Sequence, residues 1–366
     1  MRTRRQIAIV GAGIIGLLTA RLLLARGHRV LLVDRGPPGR AASWAGGGIV
    51  SPLYPWRYTD AVTALAANAT EAHRELAAGL RAETGIDPQF NPCGLLMLDP
   101  REHETALAWC RQHRRRVIVY DRDGLQRIQA ALGAVERGFW FPDIGNVRNP
   151  RLLKALIASV AAHPQADCRW QADVTLDDAG GGTLRVNGST MLVDDIMVTA
   201  GAWSASLLRP FGVELPVRPV RGQMLLYPPQ PGLLRCIVLR NGRYLIPRRD
   251  GRILAGSTLE YTDFACETTP EARVQLQAGA IHMLPALAGI EPEKQWAGLR
   301  PGSPSGIPFI DRIPESRVWV NAGHFRNGLV LAPAAAALGV ALLLGDRPDI
   351  DPAPYRLAAS RPATYL

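Results

Sequence analysis

Gly11, Gly13 and Gly16 stand in the order G-x-G-x-x-G, a spacing whose chemistry is pyrophosphate binding. Gly11 permits a tight turn, Gly13 lets backbone approach the phosphates, and Gly16 lets a helix pack close to a strand. A helix starting there points unsatisfied N–H groups at the anion. Asp34, about 20 residues further on, is placed to accept a ribose hydroxyl. A second glycine group, Gly46-Gly47-Gly48, follows Ser43 and offers more backbone N–H groups to the other part of a dinucleotide. Far away, at Gly323-His324-Phe325-Arg326-Asn327-Gly328-Leu329, a strand ends and an apolar helix begins. The N–H groups of its first turn carry partial positive charge. The first stretch alone fits NAD and FAD equally. A reduced flavin gathers negative charge at the pyrimidine end of its ring, which a returning helix start stabilises, so the second stretch tilts the reading to FAD.

Elements to hold these residues are legible around them. Ile7–Val10 is a short apolar strand, Leu17–Arg26 a leucine-rich helix, and Val30–Val33 a second strand ending on Asp34. Without a ligand the same pattern describes an ordinary βαβ unit. Residues 35–48 read as a loop of small residues. Periodicity predicts one helix over Asp60–Glu83, surface helices over Glu102–Arg115 and Asp123–Ala131, and a helix opened by Asn149-Pro150. Leu95–Leu98 reads as a strand, and Gly138–Asp143 as an aromatic turn or edge strand. Strand signals return over Cys168–Leu176 and Thr183–Val186, with Gly180-Gly181-Gly182 as a hairpin tip, and over Met191–Val198, which ends in the small residues Thr199 to Ser204. A β-rich block follows over Val217–Tyr227, Cys236–Leu239, Arg243–Pro247 and Arg252–Gly256. A helix over Pro270–Leu284, strands over Trp296–Pro301 and Val318–Gly323, and a long final helix from Gly328 complete the chain.

The 366 residues have globular apolar and charged fractions and are enough for two interleaved domains. The net charge of +10 is carried almost wholly by arginine, since Lys154 and Lys294 are the only lysines. The longest basic run, Arg114-Arg115-Arg116, lacks interleaved aromatics, so no nucleic acid partner is expected. Cys93, Cys110, Cys168, Cys236 and Cys266 are scattered and odd in number with no C-x-x-C, which suggests neither a zinc site nor a disulfide framework and suits a reducing cytoplasm. Arg2–Arg5 followed by Ile7–Ala25 imitates a signal peptide, but that apolar stretch carries the fingerprint and Arg21, so no cleavage is expected. Gly328–Gly345 is long enough for a membrane span; its Pro333 and alanines favour a buried helix, and no span is expected.

Seven stretches in order over essentially the whole chain give a resemblance. They are Gly11–Gly16, Ser43–Gly48, Thr199–Ser204, Arg221-Gly222-Gln223, Tyr244–Arg248, Gly298-Leu299-Arg300-Pro301 and Gly323–Gly328. The chain resembles the D-amino-acid oxidase family of flavoenzymes, and most closely its glycine oxidase branch. The resemblance implies an α/β fold: a Rossmann-like FAD-binding domain (1–84, 140–214 and 297–366) interleaved with an α+β substrate domain (85–139 and 215–296) on a mostly antiparallel sheet. It implies that Arg300 binds the substrate carboxylate, a task that suits a planar guanidinium fork. Tyr244 is similar to the family's active-site tyrosine, and Arg326 to a second substrate-side arginine. Taken singly, Arg300 and Arg326 also read as salt-bridge arginines, and Tyr244 as a half-buried strand tyrosine. By the same resemblance Ile14, Ile15, Asp34, Arg35, Ala41, Ala42, Gly46, Gly47, Gly48 and Val174 line FAD. His324, Phe325, Arg326, Asn327, Gly328, Leu329 and Val330 do so at its far end. His324 reads as a cofactor contact and not as a base.

Two departures concern the substrate. Gly242 stands where comparable enzymes have His, and Leu259 where they can carry Met, which implies a less polar and roomier pocket. The implied reaction is oxidative deamination of glycine or a small D- or N-substituted amino acid. Its products are an imino or oxo acid, ammonia or an amine, and hydrogen peroxide from molecular oxygen, with a link to thiamine thiazole synthesis. Two alternatives stand beside it: a dehydrogenase passing electrons to a quinone or carrier, and a non-catalytic dinucleotide sensor or subunit. Further copies of the chain are an open partner; no metal is expected.

Overall fold

The computed structural model describes residues 4–176 and 182–362. Two large sheets organise it. The first has six strands in the order Phe309–Arg312, Val318–Ala322, Asp195–Val198, Gln6–Val10, Arg29–Asp34 and Ala166–Trp170. All its pairings are parallel except that of Phe309–Arg312. Register pairs Val10 with both Val33 and Val198, and Val198 with Val320. The carboxyl ends of four strands therefore reach one edge, where open α/β sheets bind ligands. Gly11, Asp34, Thr199 and Asn321 all meet there.

Alternation along Gln6–Val10 feeds both faces of this sheet. Ile7 and Ile9 pack with the helices Ile14–Ala25, Asn149–Ala161 and Gly328–Leu344. Ala8 and Val10 pack towards a three-stranded sheet of Val174–Leu176, Thr183–Val186 and Ser189–Leu192. Helix Gly328–Leu344 is apolar enough to cross a membrane by composition, yet it lies in the core with Leu331, Ala332, Ala335, Ala336 and Val340 fully covered. Asn321 Nδ2 donates to the Ala335 carbonyl (2.7 Å) and ties it to the sheet.

The second sheet has nine strands. Eight run in the order Glu260–Tyr261, Arg218–Tyr227, Ile253–Gly256, Arg243–Pro247, Ile237–Arg240, Leu95–Leu98, Arg137–Phe141 and Ile118–Asp121, and Lys294–Gly302 pairs with Arg218–Tyr227. Only the pairing of Ile237–Arg240 with Leu95–Leu98 is parallel. The expected domain boundaries at 139/140 and 296/297 fall inside two of these strands, Arg137–Phe141 and Lys294–Gly302.

Several elements differ from their sequence reading. The helix expected over 60–83 is two helices, Asp60–Ala66 and Ala69–Thr84, and the Ala67 carbonyl between them accepts from Arg115 Nη2 (2.5 Å). Residues 138–141 are neither turn nor edge, because the exposed strand Ile118–Asp121 covers that edge. The strand expected over 191–198 is two strands in different sheets. The chain crosses between them at Val193, whose N–H bonds the Gly182 carbonyl, and Asp194, whose N–H bonds the Gln6 carbonyl. The strand expected over 168–176 breaks at Gln171, whose φ is +54°. Ala42–Ala45 forms a helical turn inside the expected loop, and the strand Phe309–Arg312 carried no sequence signal that was read. Gly180 and Gly181 of the expected hairpin tip lie outside the described residues.

Candidate active site

Strand Gln6–Val10 ends at Gly11, whose φ of +111° is open to glycine and strained for any other residue. A Cβ there would sit 2.6 Å from the Thr199 carbonyl oxygen, and a Cβ on Gly16 would sit 1.9 Å from the Gly11 oxygen. The turn is thus wedged between two strands and the first turn of helix Ile14–Ala25. That helix starts without a side-chain acceptor on its N-cap, Gly13. Ser43 Oγ accepts from Ile14 N–H (3.0 Å) and fixes the second loop against the first. Asp34 has a structural duty beside the expected one. Its Oδ2 accepts from Ala12 N–H (2.7 Å) and its Oδ1 from Gly36 N–H (2.9 Å), which holds the loops on either side of it. Each oxygen retains a lone pair for a hydroxyl.

The second glycine group is held equally closely. A Cβ on Gly48 would lie 2.1 Å from the Val147 oxygen, and one on Gly47 would lie 2.9 Å from Ile246 Cδ1. Arg248 clamps this loop: Nη2 donates to the Gly47 carbonyl (2.8 Å), and Nη1 to the Val147 carbonyl (3.0 Å) and Asn146 Oδ1 (3.1 Å). Burial pushes the Arg248 pKa down to about 10. Arg35, on the rim, lies 4.1 Å from the centre of the Trp203 ring, which stacks on Phe264.

At the far end, Gly323 (φ +84°) turns the chain out of strand Val318–Ala322. Phe325 then adopts a left-handed φ of +47°, a strain of the sort held at functional turns. Helix Gly328–Leu344 follows with no side-chain cap on its first turn. His73 braces that turn through Nε2–H to the Leu329 carbonyl (3.0 Å). Burial drives the His324 pKa down to about 3, so its ring is neutral.

One cavity of about 790 Å³ joins these parts. Every residue expected to contact cofactor lines it except Gly16, which acts in packing instead. The fit to a dinucleotide rests on three observations. Glycines packed too closely against protein backbone for a Cβ hold two loops along the cavity at one end, and a helix start without a side-chain cap lies at the other. Between them, cavity-lining side chains hold buried polar atoms without partners: Asn149 Oδ1, Asn321 Oδ1, His324 Nε2 and Asn327 Nδ2. Orphaned polar atoms of this kind call for a polar occupant.

Arg300, Tyr244 and Arg326 line the same cavity. Register explains the first. Lys294–Gly302 pairs with Arg218–Tyr227 so that Arg300 faces Val220, and the guanidinium lies across Gly222, where a Cβ would stand 2.1 Å from Nη1. Arg300 Nη1 donates to the carbonyls of Arg221 (3.3 Å) and Thr258 (3.1 Å), and Nη2 donates to Ser257 Oγ (2.8 Å). Nε and the second Nη2 hydrogen remain open. Among the described residues no carboxylate pairs with Arg300 or with Arg326. Burial lowers the Arg300 pKa, with the nearby Arg326 charge acting the same way. Tyr244 is placed by its pairing with Gly256, and its hydroxyl has Met224 Sδ as partner (3.4 Å), a weak acceptor.

Sequence reasoning missed Ser257, Tyr58 and Asn149 as cavity residues. Ser257 sits in a Gly-Ser-Thr run directly after strand Ile253–Gly256, a strand-end signal that was available. Tyr58 lies in an irregular segment that carries no such signal.

Comparison with known proteins agrees with the cavity. Residues 6–342 match the family model described as FAD dependent oxidoreductase. A glycine oxidase of Pseudomonas aeruginosa is 48% identical, over 96% of this chain and 98% of that protein. The bifunctional protein ThiO/ThiG of Synechocystis is 32% identical over 95% of this chain, which spans 53% of that larger protein. The crystal structure of glycine oxidase from Geobacillus kaustophilus superposes with a TM-score of 0.90 at 28% identity, covering 98% of this chain and 100% of that one.

Proposed function

The chain belongs to the family of FAD-dependent oxidoreductases, and from that premise we propose that it oxidises glycine or a similarly small amino acid, D-configured or N-substituted. The products are the imino acid, which water hydrolyses to the oxo acid and ammonia or an amine, and hydrogen peroxide from molecular oxygen. A largely enclosed arginine without a carboxylate partner carries this reading, because a desolvated cation calls for an anion. Arg300 offers its two open N–H groups as a fork to the substrate carboxylate. Tyr244 exchanges its thioether partner for a carboxylate oxygen, and Arg326 adds a second positive charge to the same chamber. Those two cations also disfavour an ammonium beside them, so the amine binds in its neutral, oxidisable form. His324 stays neutral and takes no part in proton transfer.

When bound, FAD supplies a two-electron acceptor for the hydride at Cα and passes the electrons to oxygen. The residues expected to hold it are Gly11, Gly13, Ser43 and Gly46–Gly48 towards the phosphates, Asp34 at a ribose hydroxyl, and His324 to Val330 at the other end. The protein's share of the catalysis is orientation: carboxylate, amine and Cα are fixed before reaction. Thiamine thiazole synthesis is the proposed consumer of the imino acid.

Anaerobic mixing of the FAD-loaded protein with glycine, sarcosine or D-alanine tests this. Bleaching of the flavin absorbance by at least one of them is expected, with stoichiometric peroxide after oxygen is readmitted. Absence of bleaching with any small amine would sink the proposal.

A further inference from the structure

A second cavity, of about 370 Å³, lies beside the first and shares Ser51, Leu53 and Tyr58 with it as common wall. Its lining is mixed: Val62, Leu95, Met97, Trp109, Phe141 and Ile144 give it apolar walls, and Thr63, Asn68 and Thr70 add polar side chains. Four arginines also line it, Arg74, Arg114, Arg115 and Arg116, against two carboxylates, Glu71 and Asp143. Both carboxylates are already paired: Glu71 with Arg74 (2.5 Å) and Asp143 with Arg116 (3.3 Å). Arg115 donates to the Ala67 carbonyl, a neutral partner. Arg114 is exposed, has no side-chain partner among the described residues, and is held at a left-handed φ of +51°. The lining therefore carries two uncompensated positive charges beside a group of apolar side chains. This is the Arg114–Arg116 run, for which the first cavity has no use.

We propose that this second cavity binds a monocarboxylate with a compact apolar body. The body fills the space against Trp109 and Phe141, where water would find few partners. The carboxylate meets Arg114 and Arg115. A pocket of this size falls within the range of small-molecule sites. The site stands on its own geometry, independent of the reaction assigned to the first cavity.

Calorimetric titration of the FAD-loaded protein with phenylacetate, with flavin absorbance followed in parallel, tests the proposal. A binding event that leaves the flavin spectrum unmoved is expected, and Arg114→Glu weakens that event by roughly tenfold, the loss of one charge-assisted contact. Thr63→Trp, which fills the chamber from its wall, abolishes it. The proposal is overturned if phenylacetate gives no binding event, if all binding moves the flavin spectrum, or if the silent event survives both substitutions. If instead the silent site is found and no carboxylate ever moves the flavin spectrum, the second cavity stands and the reading of Arg300 falls.

Discussion

Replacing Arg300 by lysine and by methionine separates charge from fork. The guanidinium has two N–H groups open to a ligand, Nε and one on Nη2, while its other three hydrogens hold Arg221 O, Thr258 O and Ser257 Oγ. A hydrogen bond to a charged group contributes about 1.5–3 kcal/mol. Lysine keeps the charge and at most one ligand bond, so it loses one such contribution, or roughly ten- to hundredfold in kcat/KM. Methionine loses both, which predicts about 10²–10⁴-fold. The effect falls on KM first, because carboxylate binding precedes the chemistry, and on kcat to the extent that Cα is misplaced. Both variants retain FAD, since no expected cofactor contact depends on Arg300. Steady-state peroxide production with glycine, normalised to bound flavin, measures the ratio. If FAD-loaded methionine and lysine variants both keep kcat/KM within about threefold of the parent, the carboxylate does not bind at Arg300.

Other positions give sharper or smaller effects. Tyr244→Phe removes one hydrogen bond to the charged carboxylate and should raise KM roughly ten- to hundredfold with an unchanged flavin spectrum; a larger loss in kcat alone would make the phenol part of the chemistry. Gly16→Ala places a methyl 1.9 Å from the Gly11 oxygen and should yield folded but colourless protein, checked by FAD released on denaturation. Arg248→Met frees the Gly47 and Val147 carbonyls and should weaken FAD retention on dilution while substrate KM in the loaded fraction holds. Acid sensitivity follows from two histidines held neutral by burial, His73 at about 4 and His324 at about 3 against an ordinary 6.5. With folded values depressed, their stabilising contribution is complete above pH 6.5 and declines as pH falls towards 4 and 3. At about 1.4 kcal/mol per pH unit, each contributes a loss of about 2 kcal/mol between pH 7 and pH 5. Denaturant midpoints of the FAD-loaded protein should show His73→Leu with roughly half the parental slope over that range, and equal slopes would refute the assignment.

The parts of the site that follow from chain-local patterns were legible, and the parts that follow from register were not. Gly11, Asp34 and the Gly323–Gly328 turn are strand ends, and strand ends announce themselves by an apolar run meeting small or acidic residues. The match of Arg300 and Tyr244 to family positions came from resemblance, because an arginine between Leu299 and Pro301 looks the same whether it meets a ligand or a carboxylate. What separates these outcomes is the partner strand. Gly222 lies across from Gly298 and leaves a gap that the Arg300 side chain crosses, and Ser257 arrives from a third strand's end to hold Nη2. Neither fact is encoded near Arg300. The misread elements have the same origin. Residues 191–198 look like one strand because a crossing between two sheets at Val193-Asp194 leaves no local mark; it is written in bonds to Gly182 and Gln6, the latter almost two hundred residues away. The aromatic strand 137–141 looked like an edge because its covering strand, Ile118–Asp121, is exposed and carries little apolar alternation of its own. Arg248 is the instructive case. It closes a stretch that matches the family, but its clamp on Gly47 joins the end of strand Arg243–Pro247 to a loop two hundred residues earlier. A guanidinium with only carbonyl and amide partners holds that loop in place, and so ties the end of the second sheet to the glycine loop of the first cavity.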